Sequence, residues 1–294
     1  MRAISRVVGE AATLLESGFH PERARRDAET LILHMLRRNR AWLIAHGNEE
    51  LPDALCANYT AMVERRRRGE PIQYITGEQE FYGLLFGVTP EVLIPRPETE
   101  LLVEKALEAA AEWVEPRILD VGTGSGAIAV ALACQLPQAE VTALDVSSAA
   151  LNVARTNARR NGIEGLIQFV ESDLLDGVAG VSFEIIVSNP PYVPSLDYAS
   201  LCVEVREYEP GLALFAGQDG LEVYRRLIPV AFAALAPGGS LLMEIGYEQA
   251  KPVSDLLMDS GYDGVNFIPD LQGISRVACG RRPGRCPPAD SRIG

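Results

Sequence analysis

The stretch Arg117-Ile-Leu-Asp120-Val121-Gly122-Thr123-Gly124-Ser125-Gly126-Ala127-Ile128-Ala-Val-Ala131-Leu132-Ala133 decides the fold of this 294-residue chain. Its opening residues read as a buried strand, and its three alternating glycines as a sharp turn that lets the backbone approach a ligand closely. The alanine-rich continuation, with Ile128, Ala131 and Leu132 on one face, suits a helix packed on a sheet. Strand, glycine turn and helix open a βαβ unit. Nineteen residues after Gly126, the run Glu140–Leu144 ends in Asp145. A carboxylate there, at the end of a second strand, is placed to accept both hydroxyls of a ribose.

Gly122, Gly124 and Ala127 also satisfy G-x-G-x-x-A, so a dinucleotide oxidoreductase has to be weighed. Two features oppose it. Asp120, just before the glycines, would crowd a pyrophosphate but suits a cationic aminoacyl group. The three histidines, His20, His34 and His46, lie far from this region and leave no evident acid for hydride transfer. The expected cofactor therefore has a positive end and no phosphates, which S-adenosylmethionine satisfies. A third strand, Leu166–Val170, is closed by Glu171-Ser-Asp173. Asp173 would then hydrogen-bond an adenine amino group, its plainer alternative being a helix N-cap or loop acid.

Downstream, the apolar run Phe183–Ser188 leads into Asn189-Pro190-Pro191-Tyr192. Two prolines fix φ and remove two backbone donors, so this turn offers carbonyl oxygens, a carboxamide and an aromatic ring. Such a corner suits a planar NH2 group, with the Asn189 oxygen and a proline carbonyl taking its two hydrogens and Tyr192 stacking on its plane. The plainer reading is a strand-terminating turn.

Strand and helix patterns alternate from residue 117 to Ala278 and total seven strands, an α/β chain. Residues 1–70 read as a helical bundle, with Ala24, Ala28, Leu31, Ile32 and Met35 on one face and Leu55, Tyr59, Met62 and Val63 on another. The run Arg65–Arg68 reads as a solvated helix end complementing the dipole, with partner contact as the alternative. Residues 71–98, including Pro71–Gly77, read as short β pieces forming a hairpin linker. The expected boundaries are 1–70 for a helical docking domain, 71–98 for the linker, 99–281 for the cofactor domain and 282–294 for a disordered tail.

No run approaches the ~18 apolar residues of a membrane span, and the start of the chain is unlike a signal peptide. Cys56, Cys134, Cys202, Cys279 and Cys286 are scattered and never form C-x-x-C. They read as free thiols in the cytoplasm, with no metal site. Charge is uneven: residues 1–70 hold 12 arginines against 10 acids, net +2, and the rest 15 basic against 30 acidic residues, net −15. An acidic cofactor half repels a phosphate backbone and suits a basic protein surface.

Taken together, these motifs resemble the release factor glutamine methyltransferases, the PrmC/HemK type of class I S-adenosylmethionine-dependent enzymes. The resemblance rests on Pro71–Gly77, Leu93-Ile-Pro-Arg-Pro-Glu-Thr-Glu100, Leu119–Ala127, Asn189–Tyr192, Glu204-Val-Arg-Glu-Tyr-Glu-Pro210 and Asp270–Arg276. It implies a small N-terminal helical bundle and a seven-stranded Rossmann-like domain joined by a β-hairpin. It also implies cofactor binding by Gly122, Thr123, Gly124, Ser125, Gly126, Asp145, Asp173, Leu174 and Asn189, and substrate capture by Asn189, Pro190, Pro191 and Tyr192. Some members carry an aromatic where Leu174 stands. The implied substrate is the glutamine of a Gly-Gly-Gln loop in class 1 peptide chain release factors, in translation termination, with no direct nucleic-acid partner, no membrane and a monomeric enzyme. The weighed alternatives are an adenine-N6 DNA methyltransferase, which uses the same Asn-Pro-Pro-Tyr logic but needs a basic cleft and a target-recognition domain, and a nonenzymatic binding module.

Overall fold

A computed structural model describes residues 2–284. The chain forms two compact units, residues 2–78 with 200–209, and residues 79–199 with 210–284.

The first unit contains β1 (Arg2–Ala3), α1 (Ile4–Leu15), α2 (Ala24–Leu36), α3 (Arg40–His46), β2 (Glu50–Leu51), α4 (Asp53–Arg67) and α5 (Ile72–Thr76). Val7, Val8, Leu31, Ile32, Tyr59 and Val63 meet in its core. The hydroxyl of buried Tyr59 donates to the Ala28 carbonyl (2.8 Å), so the ring packs without an orphaned polar atom. Two expectations fail here. Residues 72–76 are helical, not extended: Pro71 precedes the helix, Gly77 ends it in the left-handed region at φ 73°, and Tyr74 and Ile75 are buried. Burial of those two side chains overrides the β preference of Ile and Thr. Nor is Arg65–Arg68 a uniformly solvated end, because Arg66 is only 4% exposed. Its Nε donates to Asp27 Oδ2 (2.6 Å), and its Nη1 pairs with Glu204, a residue that reaches this unit from position 204 of the chain.

The second unit opens with a ribbon of β3 (Glu78–Phe81) and β4 (Leu84–Gly87), turned at Tyr82-Gly83 with both residues at positive φ. There follow α6 (Glu100–Ala110), β5 (Arg117–Val121), α7 (Ala127–Gln135), β6 (Glu140–Asp145), α8 (Ser148–Arg160), β7 (Ile167–Glu171) and β8 (Phe183–Ser188). After α9 (Val203–Tyr208), which belongs to the first unit, come α10 (Glu222–Ala234), β9 (Leu235–Glu244), α11 (Ala250–Asp259), β10 (Asp263–Pro269) and β11 (Ser275–Arg281). The seven-stranded sheet has the order β10-β11-β9-β8-β5-β6-β7. Strands β7, β6, β5, β8 and β9 are parallel, and β11 runs antiparallel to both of its neighbours.

Both faces of this sheet are buried, which explains why its strands are apolar throughout. Ile118, Ile185, Val187 and Leu242 pack beneath α6, α7 and α8. Leu119, Val121, Ile186, Leu241 and Met243 face α10 and α11. Strand β5 has β6 on one side and β8 on the other, so the order reverses there. The carboxyl ends of β5, β6, β7, β8 and β9 converge on the crevice that such a switch point opens. The tail expectation is corrected at its start. Strand β11 extends through Arg281, and Arg282 exchanges backbone hydrogen bonds with Gly238 and Gly239 (2.9 and 2.8 Å). The rest of the expected tail, residues 285–294, and Cys286 with it, lie outside the described residues.

Candidate active site

At the carboxyl edge of the sheet lies a cavity of about 730 Å³, within the range of small-molecule sites. Its wall contains Gly122, Thr123, Gly124, Ser125, Asp145, Asp173, Leu174, Asn189, Pro190 and Pro191. The structure thus brings ten of the expected site residues to one space. Gly126 and Tyr192 are not in its wall.

The glycine turn is held from below. Gly122 and Thr123 N–H both donate to the Leu144 carbonyl (2.9 and 2.8 Å). Gly122 and Gly124 have φ of 75° and 55°, and a Cβ on either would meet only open space, so their backbone borders the cavity directly. Gly126 has another duty: at φ 82°, a Cβ there would lie 3.0 Å from the Ala154 methyl, so it lets α7 start against α8. Asn157 of α8, which carried no sequence signal, is fully buried. Its Nδ2 donates to the carbonyls of Ser125 (2.8 Å) and Gly87 (2.9 Å), and its Oδ1 accepts from Gly87 N–H (2.6 Å). One carboxamide therefore ties the turn to the β3–β4 ribbon.

Asp120 is fully buried beneath this turn. Its Oδ2 accepts from Thr123 Oγ1 (2.7 Å) and Ala129 N–H (3.2 Å), whereas Oδ1 has no partner. Burial pushes its carboxyl up to about 7, against the pull of those two donors. Asp145 stands at the end of β6, with Oδ2 accepting from Gly124 N–H (2.8 Å) and Oδ1 from Ser147 N–H (2.9 Å). Burial raises its pKa, and the backbone donors of Ser147 and Gly124 oppose that shift. Each of its oxygens keeps a lone pair for a ligand hydroxyl.

Asp173 is ion-paired with Arg226 of α10 (2.7 Å), and both side chains are about half exposed. Arg226 also lines the cavity and was not foreseen. Leu174 holds φ 49°, an unusual conformation for leucine that costs of order 1–3 kcal/mol. The Ser172 hydroxyl stabilises that bend by donating to the Leu174 carbonyl (2.8 Å).

Asn189 closes β8 and meets a residue from far upstream. Its Nδ2 donates to Thr99 Oγ1 (3.1 Å), and Thr99 Oγ1 donates to Glu244 Oε2 (2.6 Å). Glu244 ends β9, is 3% exposed, and has its pKa raised by burial, against the hydroxyls of Thr99 and Tyr192 and the nearby Arg276 charge. Tyr192, expected to stack on the plane of the bound NH2 group, is engaged behind Asn189 by its hydroxyl and carbonyl. Its hydroxyl donates to Glu244 Oε1 (3.3 Å), and its carbonyl accepts from Gln249 Nε2 (3.0 Å). Asn189 Oδ1 and the Pro190 carbonyl accept no hydrogen bond from the described residues. Thr99 sits within a quoted motif, and Glu244 within the stretch of alternating strand and helix patterns. A lone acid in Leu241-Leu-Met-Glu244-Ile245 was the available signal.

A parallel sheet with one inserted antiparallel strand, its reversal point occupied by a glycine cradle and a strand-end carboxylate, defines a class I methyltransferase. Residues 97–204 match the family described as "Methyltransferase small domain", and residues 10–77 match "PrmC N-terminal domain". Among solved structures, the methyltransferase from Pyrococcus furiosus superposes with TM-score 0.50 at 19% identity, covering 77% of this chain and 99% of its own. The hMettl16 catalytic domain in complex with MAT2A 3'UTR hairpin 1 gives 0.56 at 17% identity, covering 80% and 83%. At such identities both speak for the fold alone. Among curated relatives, the release factor glutamine methyltransferase of Koribacter versatilis is 46% identical, over 88% of this chain and 91% of its own. Those of Burkholderia pseudomallei and Moorella thermoacetica are 46% and 44% identical over 88% and 84% of this chain, and 92% and 87% of their own. The chain belongs to the release factor glutamine methyltransferase family, not to the adenine-N6 DNA enzymes.

Its methyl donor is S-adenosylmethionine. The site suits that molecule: the open backbone at Gly122 and Gly124 admits close approach, and Asp145 retains acceptors for a ribose, whereas Asp120 lies fully buried outside the cavity wall. No described helix is long and apolar enough to cross a membrane.

Proposed function

We propose that this enzyme methylates the side-chain amide nitrogen (N5) of the glutamine in the Gly-Gly-Gln loop of class 1 peptide chain release factors. The observation that carries the reading is the pair of unused acceptors, Asn189 Oδ1 and the Pro190 carbonyl, on a cavity wall shared with the cofactor cradle. A primary amide has two N–H groups to satisfy, and this corner offers two oxygens and no competing donor from the prolines.

Bound S-adenosylmethionine supplies a methyl group already activated by its sulfonium charge, so no strong base is required of the protein. An amide nitrogen is nevertheless a poor nucleophile, because its lone pair is delocalised into the carbonyl. Asn189 and Pro190 hold its hydrogens and thereby set the nitrogen's orientation. Positioning of this kind is worth up to roughly 7–11 kcal/mol in favourable cases. The same two dipoles stabilise positive charge as it develops on that nitrogen. The proton is lost afterwards to water. Gly122, Thr123, Gly124, Ser125, Asp145, Asp173 and Leu174 hold the cofactor in this reading, with Gly126 acting from behind through α8.

Residues 1–70 serve as the docking domain, 71–98 as the linker and 99–281 as the catalytic domain. The enzyme works as a cytoplasmic monomer, and its acidic catalytic half, net −15, disfavours direct nucleic-acid binding. Incubating the protein with labelled S-adenosylmethionine and an unmodified release factor should place one methyl group on that glutamine, located by peptide mass spectrometry. In the same assay Asn189→Ala should lose roughly 100-fold or more in turnover while calorimetric cofactor affinity stays within a few-fold. Methyl incorporation elsewhere, or undiminished turnover by the variant, would overturn the reading.

A further inference from the structure

We infer that Glu244 and Thr99 form a polarity relay that sets which way the Asn189 carboxamide faces, making both of them positioning residues for methyl transfer. The inference rests on the function proposed above and concerns how its key acceptor is kept available.

A hydroxyl has one hydrogen, and once that hydrogen is given to a carboxyl oxygen its own oxygen can only accept. Glu244 Oε2 takes the Thr99 hydrogen at 2.6 Å, so the Thr99 oxygen can only accept from its next neighbour. That neighbour is Asn189, which must then present its NH2 group, and it does so at 3.1 Å. With the amide nitrogen committed to Thr99, Oδ1 is left as the exposed acceptor. The reverse orientation would place two acceptors face to face at Thr99 and present a donor to the substrate, where a donor repels an incoming amide N–H.

The burial of the relay supports its purpose. Thr99 is 4% and Glu244 3% exposed. A buried carboxylate is costly unless its oxygens are satisfied, and Glu244 spends both on this corner, Oε2 on Thr99 and Oε1 on the Tyr192 hydroxyl. Two residues of the Asn-Pro-Pro-Tyr turn are thus referred to one carboxylate behind it. Thr99 arrives from a short turn, Pro97–Thr99, and Glu244 from the end of β9, so the relay ties two separate chain segments to the acceptor's own turn.

The test compares Thr99→Val, Thr99→Ser and Glu244→Gln in the full-length enzyme. Thr99→Val keeps the volume and removes the hydroxyl; kcat should fall about 10–100-fold, the scale of a small misplacement at the reacting atom. KM for the release factor and the dissociation constant for S-adenosylmethionine should each stay within about 3-fold. Thr99→Ser should recover most of the lost kcat, and Glu244→Gln should lie between. Combining Thr99→Val with Asn189→Ala should be no slower than Asn189→Ala alone, because the relay acts only through that side chain. An unchanged kcat for Thr99→Val, equal losses for Val and Ser, or additive losses in the double variant would each overturn the relay. A second readout needs no substrate. In NMR spectra, the Asn189 side-chain amide protons should exchange slowly in the wild type and in Thr99→Ser, and rapidly in Thr99→Val with other resonances unmoved; no difference among the three would overturn the assignment. A wild-type enzyme with slowly exchanging Asn189 protons but no glutamine methylation would instead overturn the proposed function alone.

Discussion

Single side chains in this site are held in states that water would not favour. Asp120 shows what that costs. Its carboxyl keeps a proton up to about pH 7 in the folded state, whereas the unfolded chain releases it near 3.8. Between those values the folded state binds more protons than the unfolded one, so stability falls as pH rises through the window. The full penalty applies above pH 7, with an upper bound of roughly 4 kcal/mol. Asp120→Asn should therefore unfold at a higher temperature at pH 8, with the gain fading as the pH approaches 4. Equal melting temperatures at pH 8 would reject the account. The identity of Asp120 was legible beside the glycines, but its depth was not. Depth is a product of α7 folding over it, and a residue-by-residue reading has no access to that packing.

Elements divide the labour of the glycine turn. Gly124 borders the cavity with nothing near a Cβ, whereas Gly126 abuts Ala154 of α8 at 3.0 Å. Gly124→Ala should cost only about 1–2 kcal/mol of backbone strain, yet weaken cofactor binding at least tenfold by filling the cradle. Gly126→Val adds steric conflict with α8 to the same strain and should destabilise by about 3 kcal/mol or more. Denaturant unfolding and calorimetric titration of both variants would separate the two duties; equal stability losses would contradict the division. The three glycines look alike in sequence because spacing reports only that the backbone turns. What each glycine's missing side chain would have struck depends on α8, which lies some thirty residues further on. The segment Ile72–Thr76 teaches the same point in reverse. Its β-branched residues argue for a strand, and burial of Tyr74 and Ile75 between flanking Pro71 and Gly77 makes it a helix.

For the molecule as a whole, the chain departs from domain order at residues 200–209, which join the N-terminal unit although they are flanked on both sides by the catalytic one. Arg66 secures that excursion by pairing with both Asp27 and Glu204, and its side chain is 3% exposed. Removing one member of a buried ionic cluster leaves the others uncompensated, which costs about 3–5 kcal/mol. Arg66→Ala should lower the unfolding free energy of the first unit by that amount, whereas Arg67→Ala, in a partly exposed pair with Glu64, should leave it nearly unchanged. Similar effects for the two would refute the cluster's role. Within the run of four arginines nothing local marks the second as buried; the face it occupies on α4 is set by what packs there.

Period and punctuation along the chain were enough to establish the α/β architecture, the seven strands, the glycine cradle, Asp145 and the Asn-Pro-Pro-Tyr corner, because these depend on local rules that neighbours in sequence obey. Assembly alone decided that Thr99 and Glu244 stand behind Asn189, that the Tyr192 hydroxyl is spent on Glu244, and that Arg66 is a buried anchor. Those outcomes require side chains up to 145 positions apart to come within hydrogen-bonding range. Such proximity is created by the sheet order and the helices laid across it, and no repeat or spacing in the chain encodes it.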